Sequence, residues 1–403
     1  MQFLIDVRND DMEEEKRMNG DSIAVKCAIV RGGTSKAIFV MDNELPKDAE
    51  SRKKVILGLY GSPDVRQIDG LGGADLLTSK LAIIGPPSRP DADVDYTFGQ
   101  VSLKEAHVEF NSNCGNIASG VGPFAIDMGL VRPVEPITTV RIHVTNLGKV
   151  MTAQIPVKDG KAEVEGNFAI DGVPGTGAQI VLDWHEVVGA KTGKLLPTGH
   201  AQDVIEHDGK TYHVSVVDAG TISVFVPAEE MGIQGTETPQ WIDANPELVE
   251  RIEAIRGKAC EMIGMVDDWR RAKEETYYLP FLVMVTKAQD YECFTGAQVR
   301  QSEIDIVGRM STMGMINKTF AGSGTVCTGA AARIKGSVVW EMLDEEARAR
   351  DLLYIGHCAG RIPVESAAKE TADGKFQMEK INIFRTARII MEGQCFVRKS
   401  CLR

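Results

Sequence analysis

The sequence lacks any long apolar run. No stretch approaches the roughly 18–20 consecutive apolar residues that a bilayer-spanning helix requires, so no membrane association is expected. Residues 1–20 carry a charged run, Asp10, Asp11, Glu13, Glu14, Glu15, Lys16 and Arg17, in place of the apolar segment of a secretory signal, which predicts a cytoplasmic protein. Basic residues are in the minority: 45 Lys and Arg against 57 Asp and Glu leave a net charge of −12. A nucleic-acid partner is therefore not expected, and an anionic substrate would gain no long-range attraction from the surface. Such a substrate would have to be held locally, by Arg, Lys and backbone N–H groups.

Metal and nucleotide signatures are also missing. The eight cysteines (Cys27, Cys114, Cys260, Cys293, Cys327, Cys358, Cys395 and Cys401) form no CxxC pair and no zinc-ligand spacing, and none of the seven His residues has another at i+3 or i+4. No metal and no cofactor is expected, and the cysteines read as free thiols. Gly70, Gly72 and Gly73 are no dinucleotide fingerprint, because no βαβ unit follows them. Gly32-Gly33-Thr34-Ser35-Lys36 lacks the spacing of a nucleotide P-loop.

What the chain does contain is repetition. Arg31-Gly32-Gly33-Thr34 lies between strand-like runs at 24–30 and 37–40, and Asp218-Ala219-Gly220-Thr221 lies between similar runs at 213–217 and 223–226. A helix candidate follows each, at 47–59 and 245–263. Further on, Asn113-Cys114-Gly115-Asn116-Ile117-Ala118-Ser119-Gly120 is answered by Val326-Cys327-Thr328-Gly329-Ala330-Ala331. Cys114 lies 80 residues after Thr34 and Cys327 lies 106 after Thr221, so the order is kept while the loops differ. Strand candidates fill the remainder, at 94–102, 105–110, 137–145, 149–157, 181–187, 280–286, 353–356, 361–367 and 375–382. The expected fold is α+β: two pseudo-symmetric half-barrel domains, each a curved sheet around a central helix. Residues 1–22 form an extension, 23–203 the first domain and 204–403 the second, with the last strand free to return to the first.

The two cysteine motifs read as buried helix starts. Such a start offers unpaired N–H groups and partial positive charge, so it can hold a carboxylate and activate a thiol; a packed, inert Cys114 among tightly packed glycines fits the residues equally. The loop 32–36 is either a carboxylate cradle or an ordinary turn. Residues 61–81, punctuated by glycine and ending at Lys80, make a long loop of the kind that is usually functional. Met310, Met313 and Met315 are expected in the core, and 267–276 on the solvated surface.

Together, Arg31-Gly-Gly-Thr-Ser-Lys36, Gly61-Ser-Pro-Asp-Val-Arg-Gln-Ile-Asp-Gly70, Ala74-Asp75 with Thr78-Ser-Lys80, and Asn113-Cys-Gly-Asn116 resemble the PrpF family, of diaminopimelate-epimerase-like fold. The resemblance runs from about residue 23 to the C-terminus. It implies a cofactor-independent isomerase that shifts a proton and a C=C bond in a small unsaturated di- or tricarboxylic acid of methylitaconate or methylaconitate type. It implies catalysis by Lys80 and Cys114, substrate in the interdomain cleft, and a homodimer or tetramer. On that basis Arg31, Thr34, Ser35, Ser79 and Thr325 are expected to contact carboxylates. Gly115, Asn116 and Thr328 are expected to supply backbone N–H groups, with Ile117 and Cys327 lining the site. Cys327 occupies the place matched to the second cysteine of related racemases. The alternatives are a two-cysteine amino-acid epimerase of the same fold and a non-catalytic binding protein.

Overall fold

The computed structural model describes residues 18–372 and 374–402, so all but the last few residues of the 1–22 extension lie outside it. In the first half the order is β1 (Ser22–Gly32), β2 (Ser35–Met41), α1 (Ala49–Tyr60), β3 (Lys80–Gly85), β4 (Val94–Val101), α2 (Gly115–Ala118), α3 (Val121–Asp127), β5 (Ile137–Val144), β6 (Lys149–Lys158) and β7 (Ile180–Asp183). The second half begins with β8 (Asp203–His207), β9 (Lys210–Asp218), β10 (Ile222–Pro227), α4 (Pro246–Met262), β11 (Phe281–Lys287) and β12 (Ile306–Thr312). It ends with α5 (Gly322–Ala331), β13 (Leu352–His357), β14 (Gly360–Glu370), β15 (Phe376–Arg385) and β16 (Ala387–Arg398).

The pairing pattern repeats. From β1 to β7 successive strands pair antiparallel, parallel, antiparallel, parallel, antiparallel and antiparallel. From β9 to β15 the same sequence of pairings recurs. The halves join where β7 pairs antiparallel with β15. The C-terminal β16 lies along β1, as β8 lies along β9. The fold is thus a mixed α and β architecture with extensive sheet and few long helices. β16 falls at 387–398, where no strand candidate had been assigned.

Alternation along the strands decides what each face covers. Ala37 and Phe39 of β2, with Ala82 and Ile84 of β3, point inward to the core that holds α2 and α3. Ile38, Val40, Leu81 and Ile83 point outward under α1, against Val55, Ile56, Leu59 and Tyr60. The second half does the same: Phe225 and Val283 face α5, while Val224, Val226, Leu282 and Met284 face Ile252, Ile255 and Ala259 of α4. Both outer helices carry the local signals they need. The Asp48 carboxylate accepts from Ser51 N at 2.8 Å and Asn245 Oδ1 from Leu248 N at 3.2 Å, each an N-cap; Gly61 ends α1 in the left-handed region at φ 68°.

The central helices are buried on every side, which only small, apolar or internally satisfied residues permit. In α5 the hydroxyls of Thr325 and Thr328 donate to the carbonyls of Ala321 and Gly324, at 3.0 and 2.8 Å, so neither is left unpaired. The two helix starts meet. A Cβ on Gly115 would lie 2.8 Å from the carbonyl carbon of Gly322, and one on Gly322 would lie 2.8 Å from that of Gly115 and 2.7 Å from Asn116 N. A reciprocal contact of this kind is what a two-fold relation produces, and it leaves no room for any side chain. Gly322→Ala is expected to push the halves apart and cost about 1–3 kcal/mol of stability, read as a lower denaturant midpoint; an unchanged midpoint would mean that the two backbones do not press on each other.

Candidate active site

Around that contact lies a tight cavity lined by Ser35, Leu76, Leu77, Lys80, Gln100, Asn113, Cys114 and Asn116 from the first half and by Tyr278, Phe281, Thr312, Met313, Asn317, Ala321 and Ser323 from the second. A groove of about 360 Å³ between the halves shares Leu76, Gln100 and Met313 with it and leads outward. Among the described residues, no three His, Cys, Asp or Glu side chains come together as a metal site. Among the same residues, no helix is long and apolar enough to cross a membrane. All eight cysteines are free thiols.

Lys80 opens β3, where the long loop 61–79 enters the sheet. That loop is shaped by the buried Gln67, whose Nε2 donates to Ser62 Oγ at 3.0 Å and Ser79 Oγ at 2.7 Å, while its Oε1 accepts from Ala74 N at 2.9 Å. Tyr60 of α1 donates its phenol to the Lys80 carbonyl. The Lys80 side chain is 6 % exposed. Its Nζ donates to Gln100 Oε1 at 2.7 Å and sits 5.3 Å from the centre of the Phe98 ring. Gln100 is held in turn by donating to the carbonyls of Ser79 and Leu76, at 2.9 and 3.3 Å. Cys114, 7 % exposed, is the N-cap residue of α2 and lines the same cavity. Tyr278 completes the titratable set on the lining; burial, with the neighbouring Cys114 thiol, raises its pKa well above the ordinary phenol value. It remains a neutral donor.

The two-fold relation shows what each half contributes. In register, Ala37 faces Lys80 in the first half and Ser223 faces Phe281 in the second. Lys80 faces Gln100, and one step beyond the Leu282–Ser311 pair brings Phe281 to Thr312. The Gly115–Gly322 contact then sets Cys114 against Ala321 and Asn116 against Ser323. Lys80, Gln100, Cys114 and Asn116 and their counterparts Phe281, Thr312, Ala321 and Ser323 all line the cavity, which therefore lies on the pseudo-axis with its lysine and its cysteine both on one side.

This register corrects the match of Cys327 to the second racemase cysteine. Counting from the glycine contact, Cys327 corresponds to Gly120, and Ala321 holds the place of Cys114. Cys327 lies one turn into α5, fully buried, with its thiol 3.3 Å from the Val217 carbonyl. Burial drives its pKa up to about 12, so it is a packed hydrophobe. The sequence alignment failed because two small-residue helices match easily when shifted.

Of the other predicted residues, Ser35 and Asn116 line the cavity beside Lys80 and Cys114. Gly115 packs against Gly322 and is not on the cavity wall. Thr34 sits behind Asn116, whose Nδ2 donates to its Oγ1 at 3.1 Å, and 3.1 Å from the hydroxyl of Thr319 in the other half. Arg31 is turned away: its Nη1 donates to the Thr386 carbonyl at 2.7 Å and to Thr386 Oγ1 at 2.9 Å. Ser79 is satisfied by Gln67 and by donating to the Val101 carbonyl at 2.9 Å. Ile117, Thr325 and Thr328 are core residues off the cavity wall. Met313 was expected in the core but stands in the turn after β12, at φ 51°, and lines both cavity and groove. Gln100, Tyr278 and Asn317 were missed because each reaches the site only through long-range pairing, and Asn113 was passed over although it stands next to Cys114 in the same motif.

A sheet duplicated about an axis, with its polar cleft at the meeting of two central helices, is an architecture found in known isomerases. A hydroxyproline epimerase from Agrobacterium vitis shares the fold, with a TM-score of 0.55 at 11 % identity over 93 % of both chains. The PrpF protein family matches residues 22–398, and the chain belongs to that family. It is 50 % identical to the 3-methylitaconate isomerase of Eubacterium barkeri over 95 % of this chain and 99 % of that one. A crystal structure of a methylitaconate-delta-isomerase superposes with a TM-score of 0.81 at 49 % identity, covering 95 % of this chain and 98 % of the other.

His357 borders this region, buried beside the guanidinium groups of Arg309 and Arg385, and accepts from Ala359 N at 3.2 Å through Nδ1. Burial, reinforced by the two arginines, lowers its pKa to about 3. It is neutral when folded and protonates near its ordinary value when unfolded, so its stabilisation is complete above about pH 6.5 and is lost as pH falls toward 3. The wild type should lose up to about 1.4 kcal/mol per pH unit more than His357→Gln across that window, measured by urea unfolding; parallel stability curves would show that His357 titrates normally.

Proposed function

We propose that the chain is a cofactor-independent isomerase that converts 3-methylitaconate to dimethylmaleate by moving one proton across an allylic system. The observation that carries this is that Lys80 and Cys114 line one cavity while Phe281 and Ala321 hold the equivalent second-half positions. In the forward direction one of the pair removes the proton from the methyl-bearing carbon. The electron pair forms the new C=C bond as the methylene carbon takes a proton from the other member. The intermediate is a dienolate whose charge spreads onto the attached carboxylate, and the two groups exchange roles in reverse. Gln100 fixes the Lys80 head group, and the Tyr278 phenol lies on the wall to meet developing charge. The pronounced identity to a methylitaconate isomerase along the full length supports this substrate over tricarboxylates. Exposed Ile390, Met391 and Phe396 on β16 support a homo-oligomeric assembly.

The test is proton NMR in D₂O with 3-methylitaconate, 2-methylaconitate, aconitate and oxalomesaconate in parallel. Deuterium should enter the new methyl group of dimethylmaleate, with the first acid turned over fastest. Deuteration of proline or diaminopimelate at the α-carbon, without turnover of these acids, would overturn the reading. Cys114→Ser and Lys80→Ala should each lower kcat by at least about 10²–10⁴-fold with unchanged circular dichroism, whereas Cys327→Ala should keep kcat within about tenfold; near-wild-type rates in either of the first two variants would remove the assignment.

A further inference from the structure

Arg385, the last residue of β15, is 1 % exposed and carries a guanidinium that no carboxylate neutralises among the described residues. Its Nε donates to Asn116 Oδ1 at 2.8 Å and its Nη1 to the Phe384 carbonyl at 2.7 Å, while its Nη2 is buried with no partner. A buried, unpaired cation opposes folding unless something compensates it later. Its location is specific. The Cδ of Arg385 lies 2.9 Å from where a Gly33 Cβ would stand, so only glycine there lets the side chain pass. The chain that carries it is fastened in place, because Gly33 N donates to the Thr386 carbonyl at 2.9 Å and Arg31 clamps the same residue. Ser35, on the cavity wall, has a buried hydroxyl that also lacks a partner. Arg385 thus stands directly behind Asn116 of the cavity wall, whose own amide is committed to Arg385 and Thr34.

We propose that Arg385 and Ser35 hold one carboxylate of a dicarboxylate substrate, with Arg385 as its counter-charge. It rests on the reading of the cavity as a site for an unsaturated polycarboxylate. Arg385 stands close enough to Cys114 to interact with it electrostatically, so a carboxylate taken up at Nη2 lies at the Cys114 end of the cavity. That leaves Leu76, Leu77, Met313 and Phe281 for the apolar remainder of the ligand. Arg309, the other deeply buried arginine, donates to the Glu237 and Gly308 carbonyls and stacks on Tyr291 instead.

The test is binding without turnover. Calorimetry compares 2,3-dimethylsuccinate, a saturated diacid that cannot isomerise, with its monoamide. The wild type should prefer the diacid by roughly 10- to 100-fold, the range of a charge-assisted hydrogen bond. Arg385→Met should fold with equal or higher thermal stability and bring the preference to within about threefold. Arg385→Lys should keep a clear preference, and Ser35→Ala should weaken diacid binding by about three- to tenfold. Equal binding of diacid and monoamide by the wild type overturns the proposal, as does an undiminished preference in Arg385→Met. Because the probe has no double bond, these outcomes are independent of whether methylitaconate is the substrate: turnover of methylitaconate with no diacid preference would leave the isomerase reading standing and remove this one alone.

Discussion

The close approach of Gly115 to Gly322 is the constraint on which the rest of the architecture depends. Two backbones in van der Waals contact fix the spacing of the two central helices and therefore of the two sheets that enclose them. They also define the pseudo-axis, so that every residue beside one helix start has a counterpart beside the other. A cavity on such an axis receives two walls of nearly identical backbone, and chemistry is decided by side chains alone. Here the first wall carries Lys80, Gln100, Cys114 and Asn116, and the second answers with Phe281, Thr312, Ala321 and Ser323.

That asymmetry bears on the class of reaction. Inverting a stereocentre requires a proton to leave one face of a carbon and another to arrive on the opposite face, a task suited to one acid–base group from each half. With Ala321 in place of a thiol, the second half cannot offer that partner at the helix start. A 1,3 proton shift has a different requirement: the two carbons are displaced along the ligand, so a lysine and a thiol from different elements of one half can each attend to one of them. Tyr278, kept neutral by burial, adds a donor and not a second base.

Much of the fold was legible in the sequence because it depends on local patterns. The duplicated hairpin turns, the outer helices at 49–60 and 246–262 and most interior strands follow from alternation, capping and turn residues. The strand β16 was not, since its exposed, irregular pattern gives no period-two signal and it is ordered by pairing with β1. In the site, Lys80, Cys114, Ser35 and Asn116 were found through motifs close to the cavity wall. Arg31 and Ser79 belong to those same motifs yet act one layer back, fastening Thr386 and Val101. A motif records what must stay in place, and supporting residues are constrained as tightly as those that meet the ligand.

Arg385 illustrates the converse. Nothing within its own stretch, Ile-Phe-Arg-Thr-Ala, distinguishes it from any strand-end arginine, and it lies 269 residues from its partner Asn116. Only the sheet brings them together. Burial without a counter-ion is costly in the empty protein, and a guanidinium at the surface of β15 would serve packing as well. The net charge of −12 makes the placement intelligible: a surface that does not draw anions in must rely on positive charge kept inside, where low polarisability magnifies its attraction for the ligand. A protein with a negative exterior and an unpaired buried arginine therefore favours carboxylates by the site itself, and the stability forgone in the empty state reappears as binding when the charge is met.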